Sequence, residues 1–347
     1  MNTISAGRRA RFVLAGALAV PLAATACGGE DAGTTSDGTA EIRLATVPNL
    51  VGWSVWGAQD LGFFEENDLE VTSLEVFDSG PPIVETGLAG EWDVAFLGSP
   101  PAIVAGEKWD LKIAGVQNEE AGNIILYVRE GEVDLDDPAP DLTGKQALVV
   151  GSSLGEQVYQ ACLESLGMQP DDMELVPLEP PQIANSFTAG DGTVAQVWSE
   201  LVERMDAEGF ERLCTGTDAG TEVYTVFVVH PDFAAEQPEA AARAIEAIFD
   251  ANELLKNDLD GAMESLLAFY AENGVDLTEE DIRAESERHD WYSLEESTEL
   301  LSSGHAADVL GATAEFFVTK GQYDEVPEFD FLAPDIAEAA VDYRGEG

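Results

Sequence analysis

The sequence is poor in cations. Its 347 residues hold 16 Lys and Arg against 68 Asp and Glu, a formal net charge of −52. Arg8, Arg9 and Arg11 fall in the first 26 residues, which carry no acid, so 13 basic residues face all 68 acidic ones in the remainder. Such a surface repels nucleic acid, which is excluded as a partner. Histidine is equally scarce: His230, His289 and His305 lie far apart, without zinc-ligand spacing. HExxH, paired CxxC, Walker and GxSxG patterns are all missing, and with them the hydrolase and nucleotide chemistry they carry. No metal or cofactor is expected. There are three cysteines, Cys27, Cys162 and Cys214, and no apolar run long enough to span a bilayer.

What is present makes a globular protein. Hydrophobic residues reach 45%, far too many for a disordered acidic chain. A carboxylate-rich surface on an ordinary core suits a protein working in high salt, where charges are screened within a few ångströms. The start reads as an export signal, 1–26: a basic stretch, then the apolar run Phe12 to Ala26. Cys27 and two glycines follow as in a lipobox, so Cys27 is expected to carry lipid and to hold the protein on the outer face of the cell membrane. Residues 27–40, rich in Gly, Ser, Thr and acid, read as a flexible tether. The general export route is favoured over the twin-arginine route, because Arg11 stands where an apolar residue is expected.

From Glu41 onward apolar strands alternate with helical patterns, which predicts α/β lobes with mostly parallel sheets flanked by helices. Strands are read at 41–47, 69–77, 92–97, 111–116 and 123–129. Leu50 to Trp53 is read as a loop opening onto a helix that runs to about Phe64; further helices are read from Gly80-Pro81-Pro82 to a Gly90 stop, and briefly at 103–106 after a turn at Gly98-Ser99-Pro100-Pro101. The pattern repeats: strand 145–150, helix 155–167, strand 173–177, Pro180-Pro181 opening a helix that Gly190 stops, and strand 193–198. Strand 224–229 should return to the first sheet. Helices at 233–256, 262–272, 279–289 and 303–320 should pad the first lobe. The domains are therefore 41–125 (first lobe), 126–220 (second lobe) and 221–347 (first lobe again). Ligands on such sheets sit at the carboxyl ends of the strands.

The turn after residues 147–150 is the most informative of these ends. Ser153 and Glu156 have capping-box spacing, so a helix should start there with its N–H groups directed at the sheet edge, where anions bind. Ser152 is the side chain best placed to face a ligand. A plain strand-to-helix turn capped by Ser153 accounts for the same residues.

Several segments, in order, carry a resemblance: Leu44 to Pro48, LGFFEENDLEV from Leu61, FDSGPP from Phe77, AGEWDVA from Ala89, Gly98 to Pro101, Leu142 to Lys145, Gly151 to Ser153, Ala189-Gly190 and Val197-Trp198. Together they resemble the solute-binding lipoproteins of ABC importers, in the sulfonate, taurine and nitrate branch. The resemblance implies a two-lobed type II periplasmic-binding-protein fold with extra C-terminal helices on the first lobe. It also implies a monomer that delivers a small solute to an ABC permease. Matched by position, the ligand residues would be Asn49, Trp53, Gly98, Ser99, Asn118, Ser152, Ser153 and Trp198. Ser199-Glu200 stand where the family has an acid and a proline.

Some residues keep two readings. Glu119 and Glu120 either pair with a ligand amine or are surface carboxylates. Cys162 and Cys214 are a disulfide or two buried thiols. Trp92 and Trp291 are expected in the core and Trp109 at the surface. Two rival functions also stand: a binding protein for a thiamine pyrimidine precursor or similar ring stacked between Trp53 and Trp198, and an enzyme of pyrimidine synthesis on the same fold.

Overall fold

A computed structural model describes residues 39–321 and 324–346. The export segment 1–26, Cys27 and nearly all of the tether lie outside the described residues. Among the described residues, eleven strands form two sheets. The first contains β1 (Ala40–Thr46), β2 (Leu69–Val76), β3 (Val94–Gly98), β4 (Lys112–Glu119), β10 (Tyr224–Val229) and β11 (Asp290–Trp291), in the order β11-β4-β10-β3-β1-β2. The second contains β5 (Ile125–Val128), β6 (Gln146–Val149), β7 (Glu174–Pro177), β8 (Val194–Val197) and β9 (Glu211–Thr215), in the order β7-β6-β8-β5-β9.

Both sheets are mixed. β1 pairs parallel with β2 and β3, and β6 parallel with β7 and β8, as strand–helix–strand units require. The strands nearest the two crossings run the other way: β10 is antiparallel to β3 and β4, and β5 to β8 and β9. The chain passes from the first sheet to the second between β4 and β5 and returns between β9 and β10. The result is the two-lobed α/β type II periplasmic-binding-protein fold.

The first lobe buries one large core, from Ile42 and Leu44 on β1 to Phe317 and Ala337 at the far end of the chain. Helices from Pro231 to Glu346 supply much of its cover. The segment read as one helix over 233–256 is two, Pro231–Glu236 and Pro238–Asn257, divided at Gln237 by the following proline. The final helix over 303–320 likewise begins later, at His305, because Gly304 adopts φ +88° and stops the helix Leu294–Ser303. Helix Pro334–Glu346 and strand β9 escaped the sequence reading; each is short of apolar periodicity. The second lobe has two smaller cores, one on each face of its sheet. Cys162 and Cys214 are disulfide-bonded, with Cα atoms 6.0 Å apart, and tie helix Leu154–Ser165 to β9.

Candidate functional site

Strand β3 runs straight into a helix, and β1, β2 and β6 each reach one after a short turn. These helix starts meet in one cavity between the lobes. From the first lobe come Asn49 and Val51 at the head of helix Leu50–Asp60, Ser79 and Gly80 at the head of Gly80–Leu88, and Gly98 and Pro101 at the head of Ser99–Trp109. Ser153 and Leu154 of helix Leu154–Ser165 face them from the second lobe, with Trp198 beside them. The space is small, about 50 Å³ for the centres of water-sized spheres, room for a few waters or one compact solute.

Each head is built differently. Asn49 caps its helix by accepting from the Gly52 N–H at 3.1 Å. That leaves its amide N–H groups for a solute. Ser153 accepts from the Gly155 N–H at 3.1 Å and donates to the Val150 carbonyl at 2.7 Å. Ser79 is 3% exposed, and its hydroxyl has no hydrogen-bond partner. A buried hydroxyl left alone is costly, and Ser79 stands on the cavity wall, within reach of a polar ligand atom. Pro81-Pro82 and Pro100-Pro101 lack N–H groups, so Gly80 and Ser99 hold the first free N–H of their helices. Four helix starts give the cavity a positive bias although, among the described residues, no Lys, Arg or His lines it.

The charged side chains on the wall are acidic: Asp78 and Glu120. Glu120 is 7% exposed. Burial pushes its pKa well above the ordinary carboxylate value, and the neighbouring Glu119 and Glu285 push it further. The nearest ring nitrogen is His289 Nδ1, 3.9 Å from Glu120 Oε2. Burial, and then Arg288, holds the His289 pKa down to about 3, so it offers no positive charge. Both effects favour the protonated carboxyl, the form that can donate a hydrogen bond. Glu119 serves the backbone: its carboxylate accepts from the Ala121 and Val223 N–H groups at 2.8 and 3.3 Å, bracing both crossings.

Four of the eight residues expected at the site line the cavity: Asn49, Gly98, Ser153 and Trp198. The other four are placed elsewhere. Trp53 is fully buried in the first core and donates from Nε1 to Ser265 Oγ at 3.2 Å, because one helical turn carries it to the helix-packed side. Ser99 turns its hydroxyl to the Tyr224 carbonyl of β10. Asn118 sits on a central strand, donates to His289 Nδ1 at 2.6 Å and accepts from Thr225. Ser152 is held at φ +54°, with its N–H donated to Glu156 Oε2 at 2.6 Å. The Glu156 side chain thus closes on Ser152 rather than on the capping Ser153. Ser79, Asp78 and Phe96 were missed, although FDSGPP already placed a polar pair before a helix-starting proline. Trp92 and Trp291 are buried; Trp109, expected at the surface, is half-buried against Trp92 and His230.

Residues 53–262 match the family described as NMT1/THI5 like. The chain belongs to that family. Among relatives, the taurine-binding periplasmic protein of Escherichia coli (strain K12) is 28% identical over 182 residues, covering 51% of this chain and 55% of that protein. The NMT1/THI5-like chain also superposes on the alkanesulfonate-binding protein SsuA from Xanthomonas axonopodis pv. citri bound to MOPS. That match has a TM-score of 0.66 and 17% identity, and covers 85% of this chain and 96% of that one. The aliphatic sulphonate binding protein SsuA from Escherichia coli gives 0.66 and 16%, with 84% and 91% covered.

Proposed function

We propose that this NMT1/THI5-like chain is an extracytoplasmic solute-binding protein that delivers a small sulfonate-type zwitterion or anion to an ABC permease. In this reading the protein is exported by residues 1–26 and anchored to the outer face of the membrane through lipid on Cys27. The disulfide suits an oxidising compartment.

One observation carries the ligand class. Four helix starts and the unpartnered Ser79 hydroxyl share a cavity with the buried Glu120 carboxyl. Helix starts and hydroxyls hold an oxyanion without a counter-ion. Glu120 and Asp78 suit an ammonium group a few bonds away, and Trp198 with Phe96 covers the carbon chain between them. A taurine-like zwitterion matches all three, and a bare nitrate leaves the carboxyls unused. A heteroaromatic ring is favoured less, because Trp53 is in the core and cannot stack on it. The pyrimidine-synthesis reading gains nothing from the cavity, whose polar groups are helix starts and carboxyls.

The state of Glu120 makes the test specific. An ammonium ligand favours its ionised form, so taurine binding should release a proton and strengthen as pH rises from 5 to 8. Ethanesulfonate has no ammonium; it gains from the neutral, donating carboxyl and should weaken over the same range. Titration calorimetry in buffers of different ionisation heat reads both slopes, and Glu120→Gln should flatten them. Binding of an aminopyrimidine alone, with neither sulfonate bound, would defeat this assignment.

A further inference from the structure

Among the described residues, two of the chain's scarce cations join the lobes away from the cavity. On one side Arg288, which follows helix Glu279–Ser286, reaches Glu203 of the second lobe at 2.8 Å and donates to Asn123 Oδ1 at the crossing, 3.0 Å away. On the other side Lys320, at the end of helix His305–Thr319, meets Glu156 of the second lobe at 2.6 Å. One residue on, Gln157 donates to Thr313 of that same first-lobe helix at 3.0 Å. The side chains of Arg288, Glu203 and Glu156 are largely buried in these contacts, and that of Lys320 is three-quarters buried. None of the residues in these contacts lines the cavity.

The charge each lobe carries gives these contacts their importance. Residues 126–220 hold 19 acidic and 4 basic side chains, and residues 41–125 with 221–347 hold 46 and 9. Two bodies of formal charge −15 and −37 are therefore pressed together when the cleft is shut. Their repulsion acts over many ångströms and opposes closure, whereas the two ion pairs act at contact distance. Salt affects these terms unequally. With a screening length of about 8 Å at 0.15 M and about 3 Å at 1 M, the long-range repulsion fades well before contacts under 3 Å between buried partners.

We propose that Lys320 and Arg288 are closure residues: with Gln157 they latch the lobes on either side of the cavity, and salt drives the latch shut by screening the repulsion between two acidic lobes. The pairs Lys320–Glu156 and Arg288–Glu203 set how long a solute is held without touching it. Glu156 links the latch to the cavity wall, because its second oxygen accepts the Ser152 N–H beside Ser153.

The test needs no solute, so it stands or falls apart from the ligand assignment. Small-angle X-ray scattering of the purified protein, with circular dichroism on the same samples, would follow the radius of gyration as NaCl is lowered from 3 M. The protein should expand as salt falls while its helical signal is unchanged. Lys320→Gln should move the midpoint of expansion to higher salt by at least twofold, and Lys320→Gln with Arg288→Gln further still. Gln157→Leu should move it in the same direction with no change in charge. Arg204→Gln removes an equal charge from an ion pair inside the second lobe, Arg204–Glu208, and should track the unmodified protein. The proposal is overturned if expansion coincides with loss of helicity, if Lys320→Gln leaves the midpoint in place, or if Arg204→Gln moves it as far. The single Lys320 variant disturbs one partly exposed side chain, so it remains readable should the double variant fail to fold.

Discussion

The first lobe brings three helix starts and the Glu120 carboxyl to the cavity, on a six-stranded sheet under a thick C-terminal helical layer. The second brings one helix start and Trp198, on five strands with two thin cores and a disulfide. The polar groups able to hold a solute are thus concentrated on the lobe with the larger core, where side chains are fixed by packing. The smaller lobe supplies a cap and an aromatic cover. In this division the first lobe is the seat and the second the lid, and the covalent tie stiffens the element that lacks core.

Tryptophan gives the sharpest way to break that division, since the two lobes use it differently. Trp53→Ala removes a fully buried indole from the first core and its bond to Ser265. It should lower stability by about 3–5 kcal/mol, measured by denaturant unfolding. Trp198→Ala, on a half-buried residue at the cavity, should cost only about 1 kcal/mol and instead weaken solute binding and remove a ligand-sensitive part of the fluorescence. Equal stability losses would mean that Trp198 is core as well.

The disulfide comes next. Closing a loop between residues 162 and 214 restrains the unfolded chain by about 4 kcal/mol in the loop-entropy model. Changing both cysteines to serine should lower the stability of the second lobe by about 2–4 kcal/mol, with the first lobe's transition left in place. Chemical denaturation followed by fluorescence and by circular dichroism would separate the two. A single transition displaced as a whole would show the lobes to be one cooperative unit.

Glu285 tests the seam between the lobes. Burial and the nearby Glu203 push its pKa up to about 7, with Arg288 and the Tyr270 hydroxyl opposing. The folded state therefore holds a proton that the unfolded chain gives up near pH 4.5, so stability falls as pH rises between these values. The loss is on the order of 3 kcal/mol by pH 7. Glu285→Gln should remove most of that slope in melting curves taken from pH 4.5 to 7; an unchanged slope would assign it to other groups, Glu120 first.

Most of the fold was legible because its signals are local. Pro-Pro pairs at 81 and 180, glycine stops at 90 and 190 and short apolar strands mark each strand–helix unit, and the repeat of the pattern marks two lobes. The strand over 224–229 was found because every residue in it is apolar or β-branched, which only a buried strand requires. The site was legible in outline: the chain positions of the helix starts were right, while the side chain that faces the cavity at each start was often the neighbour. Ser153 lines it and Ser152 does not; Gly98 does and Ser99 does not. Which of two adjacent residues faces inward depends on the cap and on φ. Ser152 at +54° illustrates this, since a left-handed serine has no sequence signal. Glu120 could not be told from the other acids of an acid-rich chain without its burial.

The smallest expected effect separates seat from lid at a single hydroxyl. Ser79 and Ser153 are both buried serines at helix starts on the cavity, one on each lobe. Ser153 spends its oxygen on the Gly155 N–H and the Val150 carbonyl, so Ser153→Ala should cost about 1 kcal/mol of stability and change solute affinity little. Ser79 has no partner. Ser79→Ala should leave stability unchanged or slightly higher, because a buried unpaired hydroxyl is removed, and should weaken taurine or ethanesulfonate binding about tenfold, the loss of one hydrogen bond to a charged group. Thermal melts of the empty protein and calorimetry with each sulfonate measure both quantities on the same pair of variants. If the two variants exchange roles, with stability lost at Ser79 and affinity lost at Ser153, the second lobe is the seat and the assignment of the lobes is reversed.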